Sequence, residues 1–524
     1  MRRSVAFARR SPSLLGIAVL ALAACESSPV RPPEECPPPA APAVVALPPG
    51  PYDPLYAAAA AEFGVPAALL RAIAHVETRE QMVRGVEELG GRPAAFGVMA
   101  LRGEALRQGA AAAGVSVRDA QDRAAANVRA AAALLAGWAA SAGIDRSALD
   151  AWSAVVGRYS GITLAAGRRA YVAEVMAAAG APGGPRAALG AGDCTKNPPP
   201  VEPPPALSPD YVGALFRPSP NFDERRAGAA GIPRMVIIHT CEGAYTGCWS
   251  WLDSPESEVS AHYVVREDGG EISQLVREAS RAWHIGATYD CALNARAECD
   301  LNGVQSNHFT IGVEHAGYAS QATWPAAQLA ASARLVCDIT RRQGIPRDGQ
   351  HIVAHGQLQP YNRTDPGPNW PWARYLGMIQ RECGELVADD DAAQDDTAWV
   401  RVSASAAWTA STDAAGYYGG GYRWATSGAG ADDPLVLSFR LDEPARRTVD
   451  VRWTAGENRS PAAAFVVVGA AADTLGRVTV DQRGGGGEWR TLGSWTFPAG
   501  WSRVLVSRVG PAGVVVVADA ARIR

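Results

Sequence analysis

The chain has 524 residues and a formal net charge of −4 at neutral pH. This length exceeds what one hydrophobic core supports, so several domains are expected. The near balance of charge argues against a nucleic-acid-binding protein, in which a basic surface would be expected.

Residues 1–25 have the features of a lipoprotein signal peptide. Basic residues precede an apolar run at 14–20, and two alanines directly precede Cys25. Small residues before a cysteine allow its thiol to be lipidated and the chain to be cleaved there. We therefore expect an exported lipoprotein anchored in the membrane through Cys25. Glu26 after the cysteine favours the outer membrane, facing the periplasm.

Two proline-rich stretches and one acidic run divide the mature chain. Residues 26–52 predict an extended tether and residues 181–209 a linker, because proline-rich segments favour extended backbone. The acidic run at 387–396 predicts a further linker. These segments separate three folded units, at 53–180, 210–386 and 397–524.

The unit at 53–180 is rich in alanine and has helical periodicity, with apolar residues at Leu69, Leu70, Ile73 and Val76. It resembles the lysozyme-like domain of lytic transglycosylases. The motifs that carry this resemblance lie at 72–77, 97–100, 127–128 and 158–160. The resemblance implies that Glu77 could protonate a glycosidic oxygen.

This unit departs from the family pattern at two positions. Thr78 stands where a serine usually follows the acid, and Ala100 stands where a glutamine is usual. The departures favour a retained scaffold that binds glycan strands without cleaving them. Glycan cleavage by Glu77 stays open as the alternative.

Residues of the central unit stand in contexts that suit a hydrolytic metal site. His239 ends a β-branched run typical of a buried strand, and Asp365 precedes a Pro-Gly-Pro turn signal. His355 lies ten residues before Asp365, which suits a loop returning to a metal. Two neutral imidazoles and one carboxylate leave tetrahedral Zn²⁺ one open position. Any one of these residues alone could instead be an ordinary core or surface side chain.

The segment at 235–386 resembles the zinc-dependent N-acetylmuramoyl-L-alanine amidases, whose fold is shared with peptidoglycan-recognition proteins. The motifs lie at 236–240, 259–265, 268–269, 282–284, 311–314 and 363–372. The resemblance implies that His239, His355 and Asp365 hold Zn²⁺. It also implies that Glu314 is the catalytic carboxylate, which takes a proton from water and passes it to the departing amine.

Three further residues are candidates for contact with substrate. Arg363 stands where many relatives have a lysine, so the resemblance implies that it donates to the oxyanion. His262 and His284 are assigned to substrate binding, and either could serve as the oxyanion donor instead. A scaffold role for these two histidines stays open.

Nine cysteines leave eight once Cys25 is lipidated, and an even number in an exported chain favours disulfides. Spacing does not fix their connectivity. Zinc binding by thiolates is the competing interpretation, and the absence of any Cys-x-x-Cys pair argues against it. The pairs we favour are Cys241 with Cys248, Cys291 with Cys299, Cys337 with Cys383 and Cys36 with Cys194.

The unit at 397–524 alternates short strands with glycine-rich turns, which predicts a β-sandwich. It resembles the carbohydrate-binding-like domain at the C-terminus of golvesin and some polysaccharide lyases, through motifs at 408–412, 417–419, 458–459 and 518–520. Trp453, Trp489 and Trp495 could stack on sugars, although such residues more often belong to the core.

The predicted fold is multidomain, with an α-helical lysozyme-like domain, a central α/β amidase domain with a mixed sheet and a C-terminal β-sandwich. The predicted activity is zinc-dependent hydrolysis of the amide between N-acetylmuramoyl residues and L-alanine of the peptidoglycan stem peptide. One alternative is a peptidoglycan-recognition protein without turnover. The other is a lytic transglycosylase with an accessory amidase domain.

Overall fold

The computed structural model describes residues 47–87, 91–180, 208–391, 393 and 395–524. Cys25, Cys36 and Cys194 lie outside these residues, as do the signal peptide and most of the two proline-rich segments. Within the described part, we find no helix with the length and apolar character needed to cross a membrane.

The N-terminal unit is helical, as predicted. In helix α2 the apolar residues Leu69, Leu70, Ile73 and Val76 all face one core, so the periodicity seen in the sequence marks the buried face. The elements are α1 (Asp53–Phe63), α2 (Ala67–Thr78), β1 (Ala95–Phe96), β2 (Leu101–Arg102), α3 (Gly103–Ala112), α4 (Val117–Asp122), α5 (Ala124–Ala142), α6 (Ser153–Tyr159) and α7 (Ala165–Ala178).

The central unit is built on a six-stranded sheet with strand order β10-β5-β9-β6-β7-β3. Strands β10, β5, β9 and β6 are parallel, β7 is antiparallel to β6, and β3 is parallel to β7, so the predicted mixed sheet is confirmed. Its strands are β3 (Leu215–Phe216), β5 (Met235–Thr240), β6 (Tyr263–Val265), β7 (Ile272–Gln274), β9 (Thr310–His315) and β10 (Ile352–Ala354).

Helices cover this sheet and a small antiparallel pair flanks it. Every residue of β5 and of β9 is buried, as expected of parallel strands enclosed on both faces. The pair consists of β4 (Phe222–Glu224) and β8 (Ser280–Ala282). The helices are α8 (Tyr245–Leu252), α9 (Ala326–Gln343), α10 (His355–Leu358) and α11 (Trp372–Glu382).

Three predicted disulfides are confirmed, all in the central unit. Cys241 bonds to Cys248, Cys291 to Cys299, and Cys337 to Cys383. The third bridge ties α9 to the end of α11, so it fixes one helical layer of the domain.

The C-terminal unit consists of antiparallel strands in two main sheets that share one apolar core, which agrees with a β-sandwich. One sheet has the order β11-β22-β16-β19, the other β12-β15-β20-β17-β18, and a three-stranded sheet β13-β14-β21 adjoins them. The strands are β11 (Leu386–Asp389), β12 (Val400–Ser403), β13 (Thr409–Ser411), β14 (Tyr422–Thr426), β15 (Leu435–Leu441), β16 (Ala445–Arg452), β17 (Ala463–Val468), β18 (Thr474–Val480), β19 (Arg490–Phe497), β20 (Gly500–Ser507), β21 (Val515–Ala518) and β22 (Ala520–Ile523).

Tryptophan placement in the sandwich is mixed. Trp453 is buried in the core and its indole N–H donates to the carbonyl oxygen of Gly484 at 3.2 Å. Trp489 and Trp495 are half-buried and pack at the margins of the core. Of the three tryptophans considered in the sequence analysis, Trp489 and Trp495 are therefore the two that keep part of the residue accessible.

The expectation of an acidic linker at 387–396 does not agree with the structure. Strand β11 pairs in register with β22, and Asp389, Asp390 and Asp395 are buried. A run of aspartates is typical of solvated chain, but here the residues before it complete a sheet of the sandwich. The central and C-terminal units therefore meet without a spacer.

The N-terminal unit contacts the central unit through several polar groups. A guanidinium nitrogen of Arg102 donates to the carbonyl oxygen of Glu242, whose carboxylate accepts from the backbone N–H of Val86 at 3.0 Å. Glu174 of α7 forms an ion pair with Arg266 at 2.8 Å. These contacts hold the helical unit against the part of the central unit that contains α8 and its neighbouring loops.

Candidate metal centre

Three side chains that are far apart in the sequence converge on one point in the central unit. Nδ1 of His239 lies 3.0 Å from Nδ1 of His355 and 3.1 Å from Oδ2 of Asp365, and the third side of the triangle is 3.3 Å. Tetrahedral Zn²⁺ with bonds of about 2.0–2.1 Å places its ligand atoms roughly 3.3 Å apart. The donor set and its spacing therefore fit zinc.

The parallel strands explain why these residues meet. His239 lies at the carboxyl end of β5, His355 directly follows β10, and the two strands are neighbours. Glu314 lies at the carboxyl end of β9 and pairs in register with His239. Crevices at the carboxyl ends of parallel strands are the usual binding sites of open α/β sheets.

Asp365 reaches the site from a loop that glycine shapes. The backbone N–H of Gly356 donates to the carbonyl oxygen of Asp365 at 3.0 Å, which ties the loop to α10. Gly367 has a φ of +88°, and a β-carbon there would lie 2.0 Å from the carbonyl oxygen of Ala319. A side chain at this position would displace the loop that carries the carboxylate.

Burial and neighbouring groups hold His239 and Asp365 in the protonation states that bind a cation. His239 is buried, and burial together with the neighbouring His355 lowers its pKa to about 4, so the imidazole is neutral at physiological pH. Burial opposes ionisation of Asp365, but the adjacent His355 and His239 outweigh it and hold the pKa of that carboxyl below its usual range. A neutral imidazole at His239 and an ionised carboxylate at Asp365 result.

A chain of hydrogen bonds orients His239. Its Nε2 lies 2.9 Å from Nδ1 of His284, whose Nε2 lies 3.1 Å from the hydroxyl of Thr310. That hydroxyl donates to the carbonyl oxygen of Ser306 at 2.8 Å, so each ring donates onward from Nε2 and Nδ1 of His239 keeps its lone pair for a metal. Gly312 makes this possible, because a β-carbon there would lie 2.5 Å from the His284 ring.

His355 has an orienting partner that the sequence analysis missed. Its Nε2 lies 3.3 Å from the side-chain oxygen of Gln359, and the Gln359 amide donates to Oδ1 of Asn362 at 2.8 Å. Gln359 follows His355 by one helical turn. That spacing was the signal available in the sequence, since residues four apart share a helix face.

A cavity of about 270 Å³ lies beside His239, His355 and Asp365. Its lining contains the three predicted ligands together with Glu314, Arg363 and His284. Glu314 is buried and Arg363 is half-buried. The structure thus brings the predicted catalytic carboxylate and the predicted oxyanion donor to the same cavity as the ligands.

His262 takes a different position. It is fully buried, its Nδ1 accepts from the backbone N–H of Gly312 at 3.0 Å, and its Nε2 lies 3.2 Å from the carbonyl oxygen of Ser280. It does not belong to the lining of the cavity. This placement supports a scaffold role for His262 in place of the predicted contact with substrate.

A second group of potential ligands lies close by. Cys241, Cys248 and Glu314 place one ligand atom each within 4.8 Å of one another. The two cysteines form a disulfide, so they supply no thiolate. The disulfide argues against the alternative of zinc binding by these cysteines.

Glu77 lies in a separate cavity, also of about 270 Å³, between the N-terminal and central units. Its Oε1 accepts from the hydroxyl of Tyr171 at 2.7 Å, and burial raises its pKa. Gly247, Ser250 and Trp251 of the central unit form part of the cavity wall. Helix α8 therefore covers the side of the helical unit on which Glu77 lies.

The family profile described as N-acetylmuramoyl-L-alanine amidase matches residues 229–368, and the profile described as Golvesin C-terminal domain matches residues 392–524. N-acetylmuramoyl-L-alanine amidase A of Achromobacter lyticus is 34% identical over 188 residues, which cover 32% of this chain and 95% of the relative. The 1,6-anhydro-N-acetylmuramyl-L-alanine amidase AmpD of Escherichia coli is 31% identical over 193 residues, covering 33% and 94%. A crystal structure of an AmpD derivative aligns with 27% identity and a TM-score of 0.25, covering 32% of this chain and 96% of that one. The chain belongs to the family of N-acetylmuramoyl-L-alanine amidases.

Proposed function

We propose that this protein hydrolyses the amide bond between the lactyl group of N-acetylmuramoyl residues and L-alanine of the peptidoglycan stem peptide. The observation that carries the proposal is the convergence of His239, His355, Asp365 and Glu314 on one cavity of a domain from this family. The alternative of a recognition protein without turnover is weakened, because all three ligands and the carboxylate are present.

His239, His355 and Asp365 would hold Zn²⁺, since their ligand atoms lie 3.0–3.3 Å apart. When bound, Zn²⁺ acts as a Lewis acid that polarises the scissile carbonyl and makes water nucleophilic near neutral pH. The hydrogen bonds from His239 to His284 and from His284 to Thr310 keep His239 in one tautomer. Gln359 does the same for His355.

Glu314 moves the proton. Its carboxylate takes a proton from the attacking water as the new C–O bond forms, and it delivers that proton to the nitrogen of L-alanine as the C–N bond breaks. The products are a lactyl carboxylate on the glycan and a free amine on the stem peptide. Arg363 would donate to the oxyanion of the tetrahedral stage from the cavity wall.

The test is digestion of sacculi by the zinc-loaded protein, with mass spectrometry of the products. We expect free stem peptides that begin with L-alanine. Glu314→Ala should keep its zinc and lose about 10²- to 10⁴-fold in rate, the usual contribution of a general acid–base group. Glu256→Ala, an exposed carboxylate, is the matched control and should leave the rate unchanged. Near-full activity of Glu314→Ala would show that the proton carrier is another group.

A second activity, glycan cleavage at Glu77, has one observation in its favour and one against it. The raised pKa suits a proton donor. Against it, residues of α8 form part of the wall of the cavity that holds Glu77, and we infer that they limit the access of a glycan strand to the carboxyl group. We therefore propose that the N-terminal domain binds glycan as a scaffold of the amidase and does not cleave it.

The C-terminal domain is proposed to bind carbohydrate of the cell wall. Its match to the golvesin profile and the half-buried rings of Trp489 and Trp495 support this role. Binding of purified sacculi by the Trp495→Ala variant, compared with the parent protein, tests it. Equal binding would show that this ring is no sugar platform.

We also propose that the protein is exported and anchored in the outer membrane, facing the periplasm, by lipids on Cys25. The signal sequence and the position of the cysteine after two alanines support this. Cys25→Ala should move the protein from the membrane fraction to the soluble fraction. Retention in the membrane would require a different tether.

A further inference from the structure

A cluster of buried carboxylates lies where the β-sandwich meets the central domain. Asp389, Asp390 and Asp519 each place one oxygen within 4.8 Å of the others, and their exposed fractions are 1%, 3% and 1%. Asp389 ends strand β11 and pairs with Ala520 of β22, which brings it beside Asp519. Asp395, also buried, borders the cluster.

The negative charge of this aspartate cluster is poorly compensated. Asp519 accepts from the backbone N–H of Tyr418 at 3.0 Å, and Nε of Arg423 lies 3.6 Å from Oδ2 of Asp390. Oδ2 of Asp389, Oδ1 of Asp390 and Oδ2 of Asp395 are buried and make no hydrogen bond to any described residue. Buried carboxylates of this kind need either protons or a cation.

Each carboxyl in the cluster resists ionisation when no cation is present. Burial raises the pKa of Asp390 to about 7 and that of Asp395 to about 7, and it raises the pKa of Asp389 and of Asp519 well above the usual range. A divalent cation would reverse this, because its charge stabilises the ionised form of every ligand around it.

The donor chemistry selects the kind of cation. The ligand atoms are carboxylate oxygens, which hard cations prefer. The oxygens are enclosed by protein, whereas Mg²⁺ normally keeps several waters and is seldom held in an all-protein cage. Ca²⁺ accepts six to eight oxygens, including backbone carbonyls, in a flexible arrangement. A buried, carboxylate-rich site therefore favours Ca²⁺.

The backbone of the loop at 416–421 packs directly against the aspartate cluster. Gly419 has a φ of +62°, and a β-carbon there would lie 1.9 Å from Oδ2 of Asp389. Only glycine lets the loop at 416–421 approach the carboxylate so closely. The loop therefore covers Oδ2 of Asp389, one of the three oxygens that lack a hydrogen bond.

The same loop forms the contact with the central domain. The hydroxyl of Tyr418 donates to the carbonyl oxygen of Arg347 at 3.0 Å, and the amide of Gln350 donates to the carbonyl oxygen of Gly419 at 2.8 Å. Asp519 holds the loop from the sandwich side through the N–H of Tyr418. We propose that Asp389, Asp390 and Asp519 bind Ca²⁺, and that the ion fixes this loop against the amidase domain.

The first experiment is calorimetric titration of the full-length protein with CaCl₂, after loading with one equivalent of zinc and removal of calcium from the buffer. We expect one Ca²⁺ per chain. Asp389→Asn and Asp519→Asn should each weaken binding at least tenfold. Asp413→Asn, an exposed aspartate on the neighbouring loop, is the matched control and should bind as the parent does.

The second experiment measures hydrogen exchange of the parent protein with and without CaCl₂. Slower exchange at the loop, including the N–H of Tyr418, is expected when Ca²⁺ binds. An unchanged loop despite calcium binding would overturn the role in domain contact.

Two outcomes would overturn the metal site itself. One is the absence of any calcium binding at millimolar concentration by the parent protein, which would mean that protons neutralise the cluster. The other is equal weakening by Asp413→Asn and Asp389→Asn, which would mean diffuse surface binding. The parent titration alone decides the first point even if an Asn variant fails to fold.

Discussion

Asp365 and Glu77 are both buried carboxyl groups that line cavities of about 270 Å³, yet their pKa values shift in opposite directions. Two imidazoles beside Asp365 lower its pKa despite burial. Glu77 is hydrogen-bonded by the neutral hydroxyl of Tyr171, and burial raises its pKa. Burial alone therefore does not define a site. The partner within hydrogen-bond distance decides whether a carboxyl becomes a metal ligand or a proton donor.

The largest effect is expected at Asp365. Asp365→Ala should remove zinc from the protein and lower amide hydrolysis by at least about a thousandfold, because Lewis-acid stabilisation worth several kcal/mol is lost with the metal. Metal analysis of the purified variant and product release from sacculi measure the two effects. Zinc retained at one equivalent would show that Asp365 is not a ligand.

A smaller effect is expected at Gln359, which orients His355. Gln359→Ala should weaken zinc affinity or activity by about 10- to 100-fold, the range seen when a residue that orients a ligand is removed. Gln357→Ala is the matched control, because Gln357 lies on the same helical turn but donates to Asn294 at 2.8 Å. Equal losses in both variants would point to the helix as a whole and not to the bond with His355.

The groups within hydrogen-bond distance also decide the pKa of a buried histidine, and His351 tests this. For histidine, burial lowers the pKa and neighbouring carboxylates raise it. Burial lowers its pKa, but Asp348 at 2.6 Å and Glu298 at 3.2 Å outweigh burial and raise it to about 9. A raised pKa stabilises the fold fully below about pH 6.5, and this stabilisation is lost as the pH rises through about 9. His351→Gln should therefore cost on the order of 2 kcal/mol near pH 6 and much less near pH 9.5. Thermal unfolding of both proteins across this range gives the difference, and a constant difference would contradict the assignment.

The sequence was sufficient to predict which side chains converge at the candidate metal centre, because few residue types satisfy zinc and each one stood in a distinctive local context. His239 ended a β-branched run and Asp365 preceded a turn, so strand end and loop could be predicted from neighbours in the chain. The three disulfides of the central unit agree with the favoured pairs, although the spacing of the cysteines only suggested them.

Features that depend on distant partners were not predicted. The prediction of a linker at 387–396 was wrong because β11 pairs with β22, and Asp389 lies buried beside Asp519, both contributed by residues near the opposite end of the domain. The cover that α8 places over Glu77 likewise arises from docking of two domains. The role of His262 stayed open in the sequence, because a histidine in a family motif carries no information about whether its ring faces the cavity or a backbone N–H.

The smallest effect is expected at Glu77, and it tests the comparison most directly. Burial raises the pKa of this carboxyl, and the amide of Glu77→Gln keeps its shape and an oxygen that accepts from Tyr171, so amide hydrolysis should stay within about twofold of the parent rate. Both proteins should release free stem peptides from sacculi, and neither should produce new 1,6-anhydro ends on the glycan strands. If the parent releases such ends and the variant releases about a hundredfold fewer, Glu77 donates a proton in catalysis. If the N-terminal and central domains separate to admit the glycan, exchange of the backbone N–H of Val86, which donates to Glu242, would rise in the presence of substrate.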